Sequence, residues 1–306
     1  RTVKAAVLLL ASVLMLAGCS AAPTPPAAPS PAAAPVPADS MDRIARDYLA
    51  VSLEIGTHED GYIDAYYGPA DIKAAAERTP RSKADLRGAV AALDARVRTQ
   101  AAGLTGLDAR RAAFLRAQLR AADTRLKMMD GTRFPFVEEA ERLFGVRPVI
   151  RPLSAYDAGL ARIAALLPGD GPLAARVDAF LDRYTIPKDK LLPVFTASIA
   201  ACRAATAAHI ALPAGEDFRL EFVTGKSWSG YNYYQGNLNS LIQINTDFPI
   251  RLSRAVDLGC HEGYPGHHAH NMLLEQRLAR GRGWLEYSVY PLYSPQSLIA
   301  EGTSNY

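Results

Sequence analysis

Apolar positions fall at helical spacing through most of this chain. From Met41, the segment MDRIARDYLAVSLEIG places Ile44, Tyr48, Val51, Leu53 and Ile55 near one helical face. Stretches patterned in Ala, Leu and Arg at about 83 to 101 and 107 to 129 continue this with strong helix formers. Helical patterning recurs at 135 to 144, 154 to 167 and 172 to 184, and from Pro187 to about Leu212, where the proline suits a first turn. Between the first helices, DGYIDAYYGPADI (60–72) has turn residues around three tyrosines and predicts an ordered loop packed on the core.

The period changes after Glu216. DFRLEFVTG and SLIQINTDF (240–248) alternate polar and apolar residues, predicting two strands that flank a connection rich in Gly, Tyr and Asn. The second strand is a candidate edge of a substrate cleft, pairing with an extended peptide. Beyond Pro249 the helical period returns through Cys260, breaks at Pro265-Gly266 and resumes from about His267 to Arg280. The expected fold is mainly α with a small antiparallel β element, in one domain over 41–306.

Composition adds a core and an address. At 306 residues and 49% hydrophobic, the chain can bury a substantial interior. Its net charge of +3 is too small to indicate a nucleic-acid partner. Cys19, Cys202 and Cys260 are too few and scattered for a disulfide framework or a thiolate zinc cluster, so any metal falls to His and carboxylate ligands. Residues 1–19 read as a signal peptide, with an apolar run from Ala5 to Leu16 that is short for a membrane span of about 20 residues. Leu16-Ala17-Gly18-Cys19 resembles a bacterial lipobox, which implies lipidation of Cys19, a membrane anchor and a place in the cell envelope facing the periplasm or exterior. The competing reading is an ordinary cleaved secretion signal or an anchor helix. Residues 20–40, rich in Ala and Pro, would form a semi-extended tether.

The candidate chemistry is concentrated in HEGYPGHHAH. Four of the six histidines, His261, His267, His268 and His270, lie within ten residues. In the zinc-protease pattern H-E-x-x-H, a spacing of four puts two imidazoles on one helical face, and the glutamate activates the metal-bound water. Here Pro265 stands where the second histidine would be. On an unbroken helix His261 and His267 would point about 240° apart, and His268 would lie about 10 Å along the axis. Neither pair could then share one zinc, whose bonds to nitrogen are about 2.1 Å. A metal site therefore requires a kink at Pro265-Gly266 that folds His267 or His268 back beside His261. The bland alternative is a set of surface histidines with Glu262 as a solvated charge.

HEGYPGHH, followed some forty residues later by AEGTSNY, resembles the bacterial domain-of-unknown-function family 885, regarded as zinc metallopeptidases, many of them secreted or lipoproteins. DGYIDAYYGP is similar to a segment of some members. The resemblance implies a helical, gluzincin-like domain with His261, His267 and Glu301 as Zn2+ ligands and Glu262 as general base. The implied function is hydrolysis of peptide bonds, in a peptide or peptide-like substrate, by metal-activated water. Thr303 and Ser304 depart from the Trp and Ala usual there, and family members continue well past the equivalent of Tyr306, so the expectation is a domain incomplete at its C-terminus. Tyr287, Tyr290, Tyr293 and Tyr306 are candidates to stabilise an oxyanion. Cys260 reads as a buried small residue rather than a ligand. The competing class is a non-catalytic envelope lipoprotein whose histidines hold structural metal or a partner.

Overall fold

The computed structural model describes residues 39–305. The signal peptide, Cys19, most of the Ala/Pro tether and Tyr306 lie outside the described residues.

Helix α1 (Met41–Gly56) starts where the Ser40 side chain accepts the Arg43 N–H at 3.2 Å. It buries Ile44, Tyr48, Leu49, Val51 and Ile55. The loop expected at 60–72 instead divides into strand β1 (Ile63–Tyr66) and the start of α2 (Ala70–Arg78). Helices α3 (Lys83–Ala101) and α4 (Gly106–Met129) pack on α1 and each other around Leu86, Leu93, Leu115 and Leu126. Each such side chain contributes about 1.5–3 kcal/mol by leaving water. Next come α5 (Phe136–Phe144), α6 (Asp157–Leu166) and α7 (Leu173–Asp182); α6 and α7 bury none of their residues.

Helix α8 (Leu191–Ala207) leads to a three-stranded sheet of β2 (Asp217–Val223), β3 (Gly230–Gly236) and β4 (Asn239–Asn245). The strand order is β2-β4-β3, with β4 parallel to β2 and antiparallel to β3. Two expectations are thereby corrected. The sheet is mixed, because the Gly, Tyr and Asn-rich connection is itself a strand and returns the chain in its original direction. SLIQINTDF supplies the central strand with both backbone edges paired, so it cannot receive a peptide; β2 and β3 are the edges.

The β3–β4 turn puts Asn237 and Leu238 at φ 54° and 61°, a left-handed pair costly for leucine. Glu275 holds it there. That buried carboxylate accepts the backbone N–H of Asn237 (3.1 Å) and Leu238 (3.3 Å), and the Tyr234 hydroxyl.

Ile242 and Ile244 of β4 pack with Phe195 of α8 and with Ala255 and Leu258 of α9 (Leu252–Glu262). Helix α10 (His267–Leu274) follows, extended by a π-helical turn over Glu275–Arg280. Strand β5 (Val289–Pro291) pairs antiparallel with β1, and α11 (Pro295–Ser304) closes the described chain. The architecture is mainly helical with small sheets.

Candidate metal centre

The helix is broken where the spacing required. Between the end of α9 at Glu262 and the start of α10 at His267, the helical hydrogen-bond ladder is interrupted. The Gly266 N–H donates to the Cys260 carbonyl (3.2 Å), and the Ala269 N–H to the Gly263 carbonyl (3.2 Å). A Cβ added at Gly266 would sit 1.8 Å from the His261 carbonyl oxygen, so glycine is what lets the two turns touch. His267 Nε2 then lies 3.1 Å from His261 Nε2.

Helix α11 delivers the third group. Its Pro295 occupies the first turn and its Ala300 is fully buried, which fixes Glu301 facing the two imidazoles. Glu301 Oε2 is 3.4 Å from His261 Nε2, and Oε1 is 3.4 Å from His267 Nε2. A tetrahedral zinc with bonds of about 2.0–2.1 Å sets neighbouring donors about 3.3–3.4 Å apart. Each imidazole nitrogen stands near that separation from the other and from its own nearer Glu301 oxygen, and two imidazoles with one carboxylate are an ordinary zinc donor set. The imidazoles hold the Glu301 carboxyl far below its usual range, and Glu301 in turn raises His261.

His268 lies elsewhere. It is fully buried, with Nε2 donating to Glu216 Oε2 at 3.0 Å and Nδ1 accepting from Ser240 Oγ at 2.8 Å, the tautomer its partners require. Both ring nitrogens are occupied, and the structure brings His267, not His268, beside His261. Glu216 also accepts the Tyr264 hydroxyl and two Arg203 nitrogens at 2.9 and 2.6 Å, tying the His261–His267 turn to the entry of β2.

Burial works to raise the Glu216 carboxyl, but bonds from Tyr264, His268 and Arg203 outweigh it and hold the group below its usual value. A depressed carboxyl stabilises the fold above the ordinary value near 4.5, and that contribution is lost as pH falls through the folded value. Glu216→Gln should therefore lower stability by about 3 kcal/mol at pH 7 and by less under acid, in denaturant titrations at several pH values. An equal deficit at pH 7 and pH 3 would remove the carboxylate from this role.

Glu262 is 4% exposed, lines the cleft, and has an Oε2 with no protein partner. Burial pushes its carboxyl up, against the pull of His267 and His261. Its space comes from β3, where a Cβ at Gly230 would lie 2.7 Å from Glu262 Oε1 and 3.0 Å from Leu258 Cδ2. Asn232, two residues on, donates from Nδ2 to the Glu262 carbonyl at 2.8 Å. Gly230→Ala should displace the Glu262 carboxylate and lower stability by about 1–3 kcal/mol, measured by denaturant unfolding.

These groups surround a cleft of about 400 Å³. Of the candidate tyrosines, Tyr290 lines it, whereas Tyr287 stacks on Phe114 and Tyr293 on Tyr62. Tyr231, Asn232 and Asp64 also line the cleft and were not singled out from sequence. For Tyr231 and Asn232 the available signal was the alternation of YNYYQ between two glycines. The expectation for the cysteines is also corrected, since Cys202 of α8 and Cys260 of α9 form a disulfide with Cα atoms 5.6 Å apart. Helix packing brings together residues that sequence separates by 58. Closing such a loop stabilises by about 4 kcal/mol on chain-entropy grounds.

Comparison with protein-family models, with curated proteins and with solved structures returns no match to this chain.

Proposed function

We propose that this protein is a zinc-dependent hydrolase of peptide bonds, of the kind its resemblance to family 885 implies. One observation carries the reading: two imidazoles and a carboxylate whose donor atoms lie within 4.8 Å of one another, with a buried, unpartnered carboxylate on the same open cleft. His261, His267 and Glu301 would hold the ion. Zinc bound there would supply a Lewis acid and a water acidified toward neutral pH.

Glu262 does the proton work. Its raised carboxyl is suited to accept a proton from the attacking water and return it to the leaving amine. Gly230 leaves room for its carboxylate, Asn232 holds its backbone carbonyl, and the surrounding walls exclude bulk water from its unpartnered oxygen. A structural metal would need neither an orphaned carboxylate nor a cleft beside it, which sets this reading above the non-catalytic one. The Cys202–Cys260 disulfide supports the further proposal of an exported protein in the oxidising cell envelope, to which the lipobox-like Cys19 segment adds a lipid anchor. Both cysteines should then be found oxidised in protein taken directly from cells. Among the described residues no helix is long and apolar enough to cross a membrane.

The test is metal content against turnover. One zinc per chain should co-purify or bind, chelation with 1,10-phenanthroline should abolish cleavage of a peptide mixture, and zinc should restore it. Full cleavage by metal-free protein overturns the proposal.

A further inference from the structure

Asp64 is a carboxylate that the proposed hydrolysis leaves unused. It falls at the irregularity in β1, between the pairs Ile63–Pro291 and Ala65–Tyr290, and lines the same cleft as Glu262, His267 and Glu301. Bulges of this kind re-aim a side chain out of the ladder. Its one hydrogen bond is from the Tyr231 hydroxyl, whereas a carboxylate offers about four acceptor positions. A bound dication would be balanced by Glu301 and Glu262, leaving the charge of Asp64 over. Arg254, the arginine of the lining, is already paired with Asp257.

Asn232 points to a ligand independently. It is 6% exposed in the cleft wall, and because its Nδ2 must donate to the Glu262 carbonyl, its Oδ1 is an acceptor without a partner. A buried acceptor left unmade is costly, and an N–H donor in the cleft would satisfy it.

We propose that Asp64 and Asn232 Oδ1 receive the free α-ammonium group of a peptide, making the cleft an aminopeptidase-type site; this rests on the zinc-peptidase reading above. An ammonium carries three N–H donors and the one charge the cleft lacks. Since Asp64 shares the cleft with the metal donors, and each residue spans at most about 3.3–3.6 Å, the bond cut lies one or two residues from that amine. Hydrolysis there adds water across the C–N bond, releasing a short N-terminal carboxylate product and a shortened peptide with a new amine.

The experiment uses zinc-loaded protein and one tripeptide mixture in three forms, free, N-acetylated and C-amidated, followed by mass spectrometry. Free and C-amidated peptides should be cut alike, and N-acetylated ones at least about 100-fold more slowly. Asp64→Asn should lower kcat/KM on free peptides about 100-fold, keep its zinc, and bring free and acetylated rates within a few-fold of each other. Zinc-dependent cleavage at equal rates on free and acetylated peptides overturns the amine site and leaves the peptidase reading standing. Discrimination against the C-amidated form instead moves recognition to the substrate carboxylate and overturns it too. No cleavage of any form removes the peptidase reading and this inference together. The wild-type comparison decides the matter even if Asp64→Asn does not fold.

Discussion

Glu262→Gln should bind zinc as the wild type does and lose about 10²–10⁴ in kcat, the usual contribution of a positioned general base. The amide keeps the shape of the side chain, and Glu262 is outside the three-donor set, so metal content should not change. Stability should move the other way. Glu262 is buried, its Oε2 has no partner, and burial already disfavours its charged form, so replacing it with a neutral group should leave the metal-free protein as stable or more so. Loss of activity at constant zinc, with an unchanged or raised melting temperature, is a combination that a purely structural glutamate would not produce. A Glu262→Gln protein with wild-type turnover would end the proposal of a general base here.

Gly266→Ala should have the other large effect, for a steric reason. The new Cβ would lie 1.8 Å from the His261 carbonyl oxygen, 2.4 Å from the His261 carbonyl carbon and 2.5 Å from the Cys260 oxygen, all of them backbone atoms. No rotamer relieves such a contact, so α9 and α10 must separate by an ångström or more, of the order of the tolerance of a metal bond. Zinc affinity should fall by about 100-fold or more, with a loss of stability that unfolding curves of the metal-free protein will detect. Binding of zinc at native affinity by this variant would show that the kink does not set the donor positions.

Much of this site was legible because a physical contradiction stood in the sequence. His261 and His267 cannot meet on a regular helix, yet Pro265 and Gly266 sit between them, and the predicted break is where the chain turns. The choice between His267 and His268 was not legible. It depends on Glu216 and Ser240, which occupy the His268 ring from another part of the chain. The helical bundle was readable from local periodicity, as in α1, α3 and α4. Strand β3 was not: its two glycines signal a turn locally, and the reason for Gly230, the bulk of Glu262, lies on a different element. Asp64 was hidden likewise, since it reaches the cleft through tertiary contacts of β1 with β5 and with Tyr231 of β3.

The disulfide bears on how the site is supported. Cys260 directly precedes His261, and its sulfur is committed to Cys202. Neighbours on a helix point about 100° apart, so the bridge holds the backbone that carries His261 and not the imidazole itself. The last turn of α9 is thereby fastened to α8 whether or not an ion is bound, and reduction would loosen the support of His261 while leaving its side chain untouched.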